Sequence, residues 1–168
     1  MASPILRSTD FADEYKISTD NFSGLDAYII QYERHYLLRL LGSDLFDLFI
    51  ADLSGNPSVP GSARFLDIFN EFHSDENGTL RDSEGMKRML IQFVYFHYVR
   101  DQNFQNSKTG VVRNVNSNST ALPYNGYNLI ESYNQGIENY DTIQWFIRDN
   151  DSDYPEENIQ PLQFISGI

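Results

Sequence analysis

The stretch MKRMLIQFVYFHYVRDQN (residues 86–103) is long enough for a substantial helix and is apolar on nearly every side. Within residues 89–99, only Gln92 and His97 interrupt a run of aliphatic and aromatic residues. A helix with apolar residues around its whole circumference is buried, whereas a surface helix keeps one polar face. We therefore predict a buried central helix over residues 83–103, around which the rest of the chain packs.

Two amphipathic helices are predicted ahead of the central one, joined at a glycine. Apolar residues recur at helical spacing over residues 25–41 and again over residues 45–53. Between them, Gly42 suits the left-handed conformation that ends many helices, and Ser43 and Asp44 can cap the next helix. The two helices should therefore meet at a tight corner.

Two further helices are predicted on either side of the central one. Ser62 opens a short helix that ends at the turn SDENGT, residues 74–79. Four residues form its apolar face: Phe65, Ile68, Phe69 and Phe72. The last helix begins at Tyr127 and ends near Asn150, and Gly136 inside it costs about 1 kcal/mol relative to alanine.

The fold class that follows is mostly α, a single-domain helical bundle of about five helices with two extended segments. The helical domain is predicted to occupy residues 1–150 and to include an extended arm at about 104–125. An acidic tether and an apolar C-terminal tail occupy residues 151–168. With 12 Phe, 11 Tyr and 40% hydrophobic residues, the chain has enough apolar material for one aromatic-rich core.

Composition and charge argue against several classes of function. The chain has 12 basic and 24 acidic residues, a formal net charge of -12, whereas binding to phosphate backbones depends on clustered cations. It has no cysteine for disulfides, thiolate metal sites or cysteine nucleophiles, which favours an intracellular or particle-borne protein. We find no signal-peptide pattern and no apolar run near the ~20 residues of a membrane span, so no membrane association is expected.

One acidic run partly matches a calcium-binding loop. Asp149, Asp151 and Asp153 stand at its first three ligand positions. Tyr154 replaces the glycine that the loop needs, and Gln160 replaces the bidentate glutamate. A solvated acidic linker is the simpler interpretation, and we predict no metal site.

No pattern in the sequence indicates catalysis. The three histidines, His35, His73 and His97, form no pair at metal-ligand spacing, and His97 is interpreted as a hydrogen-bonded core residue. Phosphate-binding loops, nucleophile elbows and kinase signatures are all absent from the sequence. We predict no catalytic and no cofactor-binding residues, and only a cofactor or metal in the purified protein would revive an enzymatic reading.

The segment KTGVVRNVNSNST (residues 108–120) favours extended backbone. Val111, Val112 and Val115 are β-branched, the intervening asparagines disfavour helix, and Gly110 permits a tight turn. Structureless loops of about twenty residues are usually functional or disordered. A hairpin with the arm's own second half would lack apolar residues on the returning strand. Pairing with another chain is at least as plausible.

The C-terminal tail has the pattern of a half-buried strand. Leu162, Phe164 and Ile168 alternate with polar or small neighbours, and they follow the acidic tether. Such a terminus can dock in a groove of its own subunit or of a neighbour, and strand addition between identical subunits closes a ring when the rotation is right. The basic residues near the arm are candidates for pairing with an acidic neighbour, or are simply solvated. The predicted partner-binding residues are Arg100, Lys108, Gly110, Val111, Val112, Arg113, Val115, Leu162, Phe164, Ile165 and Ile168.

Over about residues 17–150, the order of segments resembles the head-tail connector proteins of tailed bacteriophages, also called adaptor or head-completion proteins. The resemblance rests on LLRLLGSDLFDLF (37–49), then the central helix, then the 108–120 segment and a final tyrosine-rich helix. It implies a non-enzymatic virion protein at the head-tail interface, assembled in the host cytoplasm. It also implies a ring, commonly of twelve subunits, that contacts the portal and further tail or connector proteins.

The negative net charge suggests how the implied ring would let DNA pass. Acidic subunits around a channel would repel DNA from its wall, so that DNA passes through the lumen without sequence-specific binding. Six residues are candidates for this lining or for an ordinary solubilising face: Glu131, Glu138, Asp141, Asp149, Asp151 and Asp153. The rival hypothesis is an acidic DNA mimic or inhibitor that occupies a cationic groove on a host protein.

Overall fold

Helices form most of the computed structural model, which describes residues 5–12, 15, 22–76, 79–107, 110–113, 126–157 and 161–164. After a short 3₁₀ helix, Ser8–Phe11, the described residues form α1 (Phe22–Asp52), α2 (Ala63–Phe69), α3 (Gly85–Asn103) and α4 (Gly126–Asp149). Between them lie three antiparallel strand pairs: β1 (Leu53–Ser54) with β2 (Val59–Pro60), β3 (Phe72–Glu76) with β4 (Thr79–Ser83), and β5 (Phe104–Ser107) with β6 (Gly110–Arg113). The predicted mostly α fold is confirmed.

The central position predicted for the 86–103 stretch is also confirmed. Helix α3 packs against α4 along much of its length and against α1 on another side. Eight of its apolar side chains are buried: Met86, Met89, Leu90, Ile91, Phe93, Val94, Phe96 and Tyr98. It begins at Gly85, where φ is 84° and a Cβ atom would lie 2.7 Å from the carbonyl oxygen of Phe69. Only glycine fits this close approach.

The corner predicted at Gly42 is present, although the two helices it separates form one element. Helix α1 continues through the corner except at Gly42 itself, where φ is 73° and ψ is 174°. This positive φ is easily adopted only by glycine. The described part of the chain therefore has four α-helices where about five were predicted.

The short helix α2 ends earlier than predicted. Phe72 was assigned to its apolar face but instead begins β3, where it is half-buried and lies 4.8 Å from the ring of Phe146. Residues 74–76 and 79 of the segment predicted as a turn belong to the paired strands, with Phe72 opposite Ser83 and Glu76 opposite Thr79. The prediction missed this hairpin because its strands, FHSDE and TLRDS, lack alternating apolar residues.

The start of α2 is held by a carboxylate from the end of α1. Asp52 Oδ2 accepts hydrogen bonds from the backbone nitrogens of Gly61 and Ser62 at 2.8 and 2.9 Å, and from the Ser62 hydroxyl at 3.0 Å. The bond from the Ser62 backbone is the largest of the effects that lower the pKa of Asp52. This contact closes the β1–β2 turn and fixes where α2 leaves α1.

A second carboxylate anchors the N-terminal segment. Glu33 is buried on α1, and its two oxygens accept the backbone N–H groups of Ile5 and Leu6, each at 3.0 Å. Burial raises the pKa of Glu33, while the two hydrogen bonds act in the opposite direction. Ile5, Leu6 and Phe11 thereby join the hydrophobic core.

Candidate functional site

The arm begins as a hairpin that continues directly from the end of α3. Phe104 lies opposite Arg113, Gln105 opposite Val112, and Asn106 opposite Val111. Within the described residues, β6 pairs with β5, residues 104–107, a partner strand that was not predicted. Pairing of the valines with another chain stays a prediction, and the arm's second half lies outside the described residues.

The hairpin is a two-stranded ribbon, and each strand has a second edge that its partner strand does not cover. Within the described residues, no third strand joins β5 and β6. An unpaired strand edge presents N–H and C=O groups that can pair with another chain. Gly110 lies opposite Ser107 at the closed end of the ribbon. Two other predicted contact residues of the arm, Lys108 and Val115, lie outside the described residues.

Arg100, predicted to pair with a neighbouring subunit, already has an ionic partner in its own chain. Its Nε donates to Asp101 Oδ1 at 2.8 Å, and this hydrogen bond is the main reason that the pKa of Arg100 is raised. The guanidinium also lies 5.6 Å from the ring centroid of Phe96. Tyr28 on α1 donates to the other oxygen of Asp101 at 3.2 Å, so this group ties α1 to the end of α3.

The acidic segment after α4 is docked on the helical domain over residues 150–157, where a free tether was predicted. Tyr154 is 1% exposed, and its hydroxyl donates to the backbone oxygen of Arg64 on α2. Arg64 Nη1 in turn donates to the backbone oxygen of Asp153 at 3.0 Å and to Glu156 at 3.4 Å. Tyr154, which breaks the calcium-loop pattern, is therefore a core residue that attaches this segment.

The structure assigns no metal-binding role to the three aspartates of that pattern. Asp149, Asp151 and Asp153 are exposed, and the described residues contain no group of three or more His, Asp or Glu that could hold a metal ion. Gln160 lies outside the described residues.

The C-terminal tail does not form the predicted strand over residues 161–164. Leu162 is half-buried against the hydrophobic core of its own chain. Phe164 is 53% exposed. Ile165 and Ile168, the remaining predicted contacts of the tail, lie outside the described residues.

Acidic residues line one exposed face of α4. Glu131, Glu138 and Asp149 follow one another at intervals of seven and eleven residues, close to whole helical turns, and all three are exposed. Asp141 lies beside this face, and partial burial raises its pKa. Asp151 and Asp153 follow the helix end, and all six residues predicted as a lining or a solubilising face are exposed; we call these six residues the acidic strip.

His97 is hydrogen-bonded, as predicted, but it is half-buried and lies within an aromatic cluster. Its Nε2 lies 2.7 Å from the Tyr36 hydroxyl, and its ring stacks on Tyr32 with centroids 3.8 Å apart. Burial lowers the pKa of His97 to about 4, while Nδ1 is buried without a hydrogen-bond partner in the described structure. The imidazole is therefore neutral at physiological pH, and its contacts join α1 to α3.

Comparison with protein-family models, with curated proteins and with solved structures finds no match for this chain. The resemblance to head-tail connectors stays a prediction from the sequence. None of the helices in the described residues combines the length and the apolar character that a bilayer crossing requires.

Proposed function

We propose that the protein is a non-enzymatic structural component of a tailed-phage particle, which forms an oligomeric ring between portal and tail. The observation that carries the proposal is the β5–β6 ribbon at the end of the buried helix α3. In this proposal the helical domain supplies a rigid body, and the ribbon supplies a surface for neighbouring chains.

The ribbon suits this use for an energetic reason. An isolated two-stranded hairpin is only marginally stable in water and gains stability from a further strand or from packing. In a ring, an extended segment of a neighbouring subunit or of the portal would add to one of its edges through backbone hydrogen bonds. The same chemistry repeats from subunit to subunit around the ring.

The acidic strip on α4 supports DNA passage as the second part of the proposal. Four of its six members lie on α4, where Glu131 and Glu138 contribute negative charge to an exposed face and make no ion pair with a residue that the structure describes. A ring of such subunits would surround DNA with negative potential, so the DNA would not adhere to the wall. Location in the virion follows from this function and is part of the proposal.

The direct test is the binding of the purified protein to portal rings of the same phage, with the complex imaged by electron microscopy. We expect a ring of subunits on one end of the portal and the protein in purified particles. A protein that neither binds portal rings nor occurs in particles would overturn the proposal.

A variant with Val111→Asp and Val112→Asp should keep its helical content by circular dichroism and lose ring formation.

A second candidate function, an acidic DNA mimic, is favoured by the same strip and by the net charge of -12. A mimic would bind a cationic host protein, and duplex DNA and salt would both compete with it. Pull-down from host extract with and without excess duplex DNA separates the two functions. Capture of a host DNA-binding protein that DNA displaces would favour the mimic, and portal binding that DNA leaves unchanged would favour the connector.

A further inference from the structure

Helix α1 exposes large apolar side chains on both sides of its corner. The described residues include six exposed large apolar side chains, and three of them, Ile30, Leu38 and Leu48, lie on α1. Single exposed apolar residues are common on protein surfaces. These three differ because each belongs to a row of exposed residues that also carries charge.

The first row lies before the corner and is cationic. Ile30, Arg34 and Leu38 follow at intervals of four residues, which places them along one face of the helix, and all three are exposed. Arg39 is exposed beside this row. Neither Arg34 nor Arg39 makes an ion pair with a residue that the structure describes. We call Ile30, Arg34 and Leu38 the cationic row.

The second row lies after the corner and is acidic. Asp44, Asp47, Leu48 and Ala51 are spaced by three and four residues, so they share one face, and all four are exposed. The carboxylates of Asp44 and Asp47 make no ion pair within the described part of the chain. We call Asp44, Asp47 and Leu48 the acidic row.

The two rows of one subunit do not pair with each other. Arg34 reaches across the corner and holds its guanidinium 5.3 Å from the ring centroid of Phe46, a buried residue of the second segment. Asp44 and Leu48 lie about 200° around the helix from Phe46, and Asp47 lies about 100° from it, at about 100° per residue. Within the described residues, no ion pair joins Arg34 to Asp44 or Asp47 of the same chain. The two rows therefore match in charge and in exposed apolar residues but are not joined by an ion pair within one copy.

We propose that the cationic row of one copy docks on the acidic row of the next copy. The inference rests on the proposed ring function and names the surface through which its subunits meet. Arg34 then faces Asp47 of the neighbour, while Leu38 packs against Leu48 across the contact. Two different patches on one chain make a heterologous contact, which produces a ring when the rotation closes. Charge complementarity sets the register, and burial of the leucines excludes water from the centre.

Cross-linking tests the contact directly, because the chain has no cysteine of its own. Protein with Leu38→Cys is mixed with protein with Leu48→Cys at high concentration under mild oxidation. We expect a mixed disulfide dimer in much higher yield than Leu38→Cys forms with itself or with Leu80→Cys, an exposed position on β4. Equal yields in the three mixtures at every concentration would overturn the proposal.

Charge reversal on the two separate chains tests the register. Arg34→Glu in the Leu38→Cys chain should reduce the yield of mixed dimer about tenfold, the ratio that loss of one close ion pair can give. Adding Asp47→Lys to the Leu48→Cys chain should restore the yield. Arg148→Glu, which changes the net charge by the same amount on exposed α4, should leave the yield unchanged. Failure of Asp47→Lys to restore the yield would contradict the assigned pairing.

The two proposals can fail separately. Portal binding by the unchanged protein tests the connector function and does not depend on which surfaces join the subunits. Rings that form equally well from unchanged and Arg34→Glu protein would overturn the α1 contact and leave the connector function standing. Cross-linking between Leu38→Cys and Leu48→Cys chains without any portal binding would overturn the connector function and leave the α1 contact standing.

Discussion

Gly136 on α4 lies against the ring of Phe93 on α3, so close that a Cβ atom at Gly136 would stand 2.9 Å from Phe93 Cε1. This glycine leaves room for the Phe93 ring where the two helices pack. From the sequence, Gly136 is only a small cost in helix propensity. Its role is visible only when the facing residue on α3 is known.

The first prediction follows from that contact. Gly136→Ala should destabilise the protein by about 1–2 kcal/mol, because the clash with Phe93 outweighs the gain in helix propensity. Urea unfolding followed through the single tryptophan, Trp145, measures the change. Gly24→Ala on α1 is the matched control, since the added Cβ would lie 4.0 Å from Tyr98 Cε2, an ordinary van der Waals distance. It should be neutral or stabilising, and a stabilising Gly136→Ala would contradict the packing argument.

The second prediction concerns pH. The unfolded chain protonates His97 near pH 6.5, whereas burial lowers the pKa of the folded group to about 4. Between these values the unfolded state binds more protons, so stability falls as pH decreases from 6.5 to 4. We expect a loss on the order of 1–2 kcal/mol from this residue, after allowance for solvent screening.

Denaturant unfolding at pH 7 and pH 4.5, in the unchanged protein and in His97→Phe, isolates the contribution. The variant should lose less stability on acidification, because it lacks the imidazole, while the other groups that face it, His35, Arg100 and Asp101, are present in both proteins. Equal losses of stability in the two proteins would show that folding does not lower the pKa of His97.

The parts of the fold that local chemistry determines could be predicted from the sequence. Helix α3 is recognisable because its apolar residues surround the helix, which requires burial whatever its partners are. The corner of α1 is recognisable because Gly42 precedes two helix-capping residues. Neither inference needs contacts between distant parts of the chain.

The remaining parts depend on such contacts and could not be predicted. Tyr154 is buried because it meets Arg64, 90 residues earlier in the chain, and its acidic neighbours suggested only a solvated linker. Phe72 has the spacing of the α2 apolar face, yet it packs on Phe146 from a strand. The exposed rows of α1 were missed because Ile30 and Leu38 are apolar, and only the structure distinguishes exposed from buried apolar residues.

The third prediction concerns the anchor of the N-terminal segment. Glu33→Gln replaces one accepting oxygen by an NH2 group that faces the backbone N–H of Ile5 or Leu6. Leaving a buried donor without an acceptor should cost about 1–3 kcal/mol. Amide hydrogen exchange should be faster at Ile5 and Leu6 in this variant. Glu131→Gln, on the exposed face of α4, should leave the exchange rates of both amides unchanged. Unchanged exchange at both amides would contradict the anchoring role.

The fourth prediction concerns the arm. Limited proteolysis should cut the free protein between Asn103 and Pro123, and trypsin has Lys108 and Arg113 available there. If the open edge of the β5–β6 ribbon receives a strand from another chain, its backbone becomes part of a larger sheet, and proteases cannot bind it in extended form. The same sites should therefore be protected in the assembled ring. Protection already complete in the isolated monomer would mean that the ribbon is stabilised by its own subunit, and the arm would then need no neighbour.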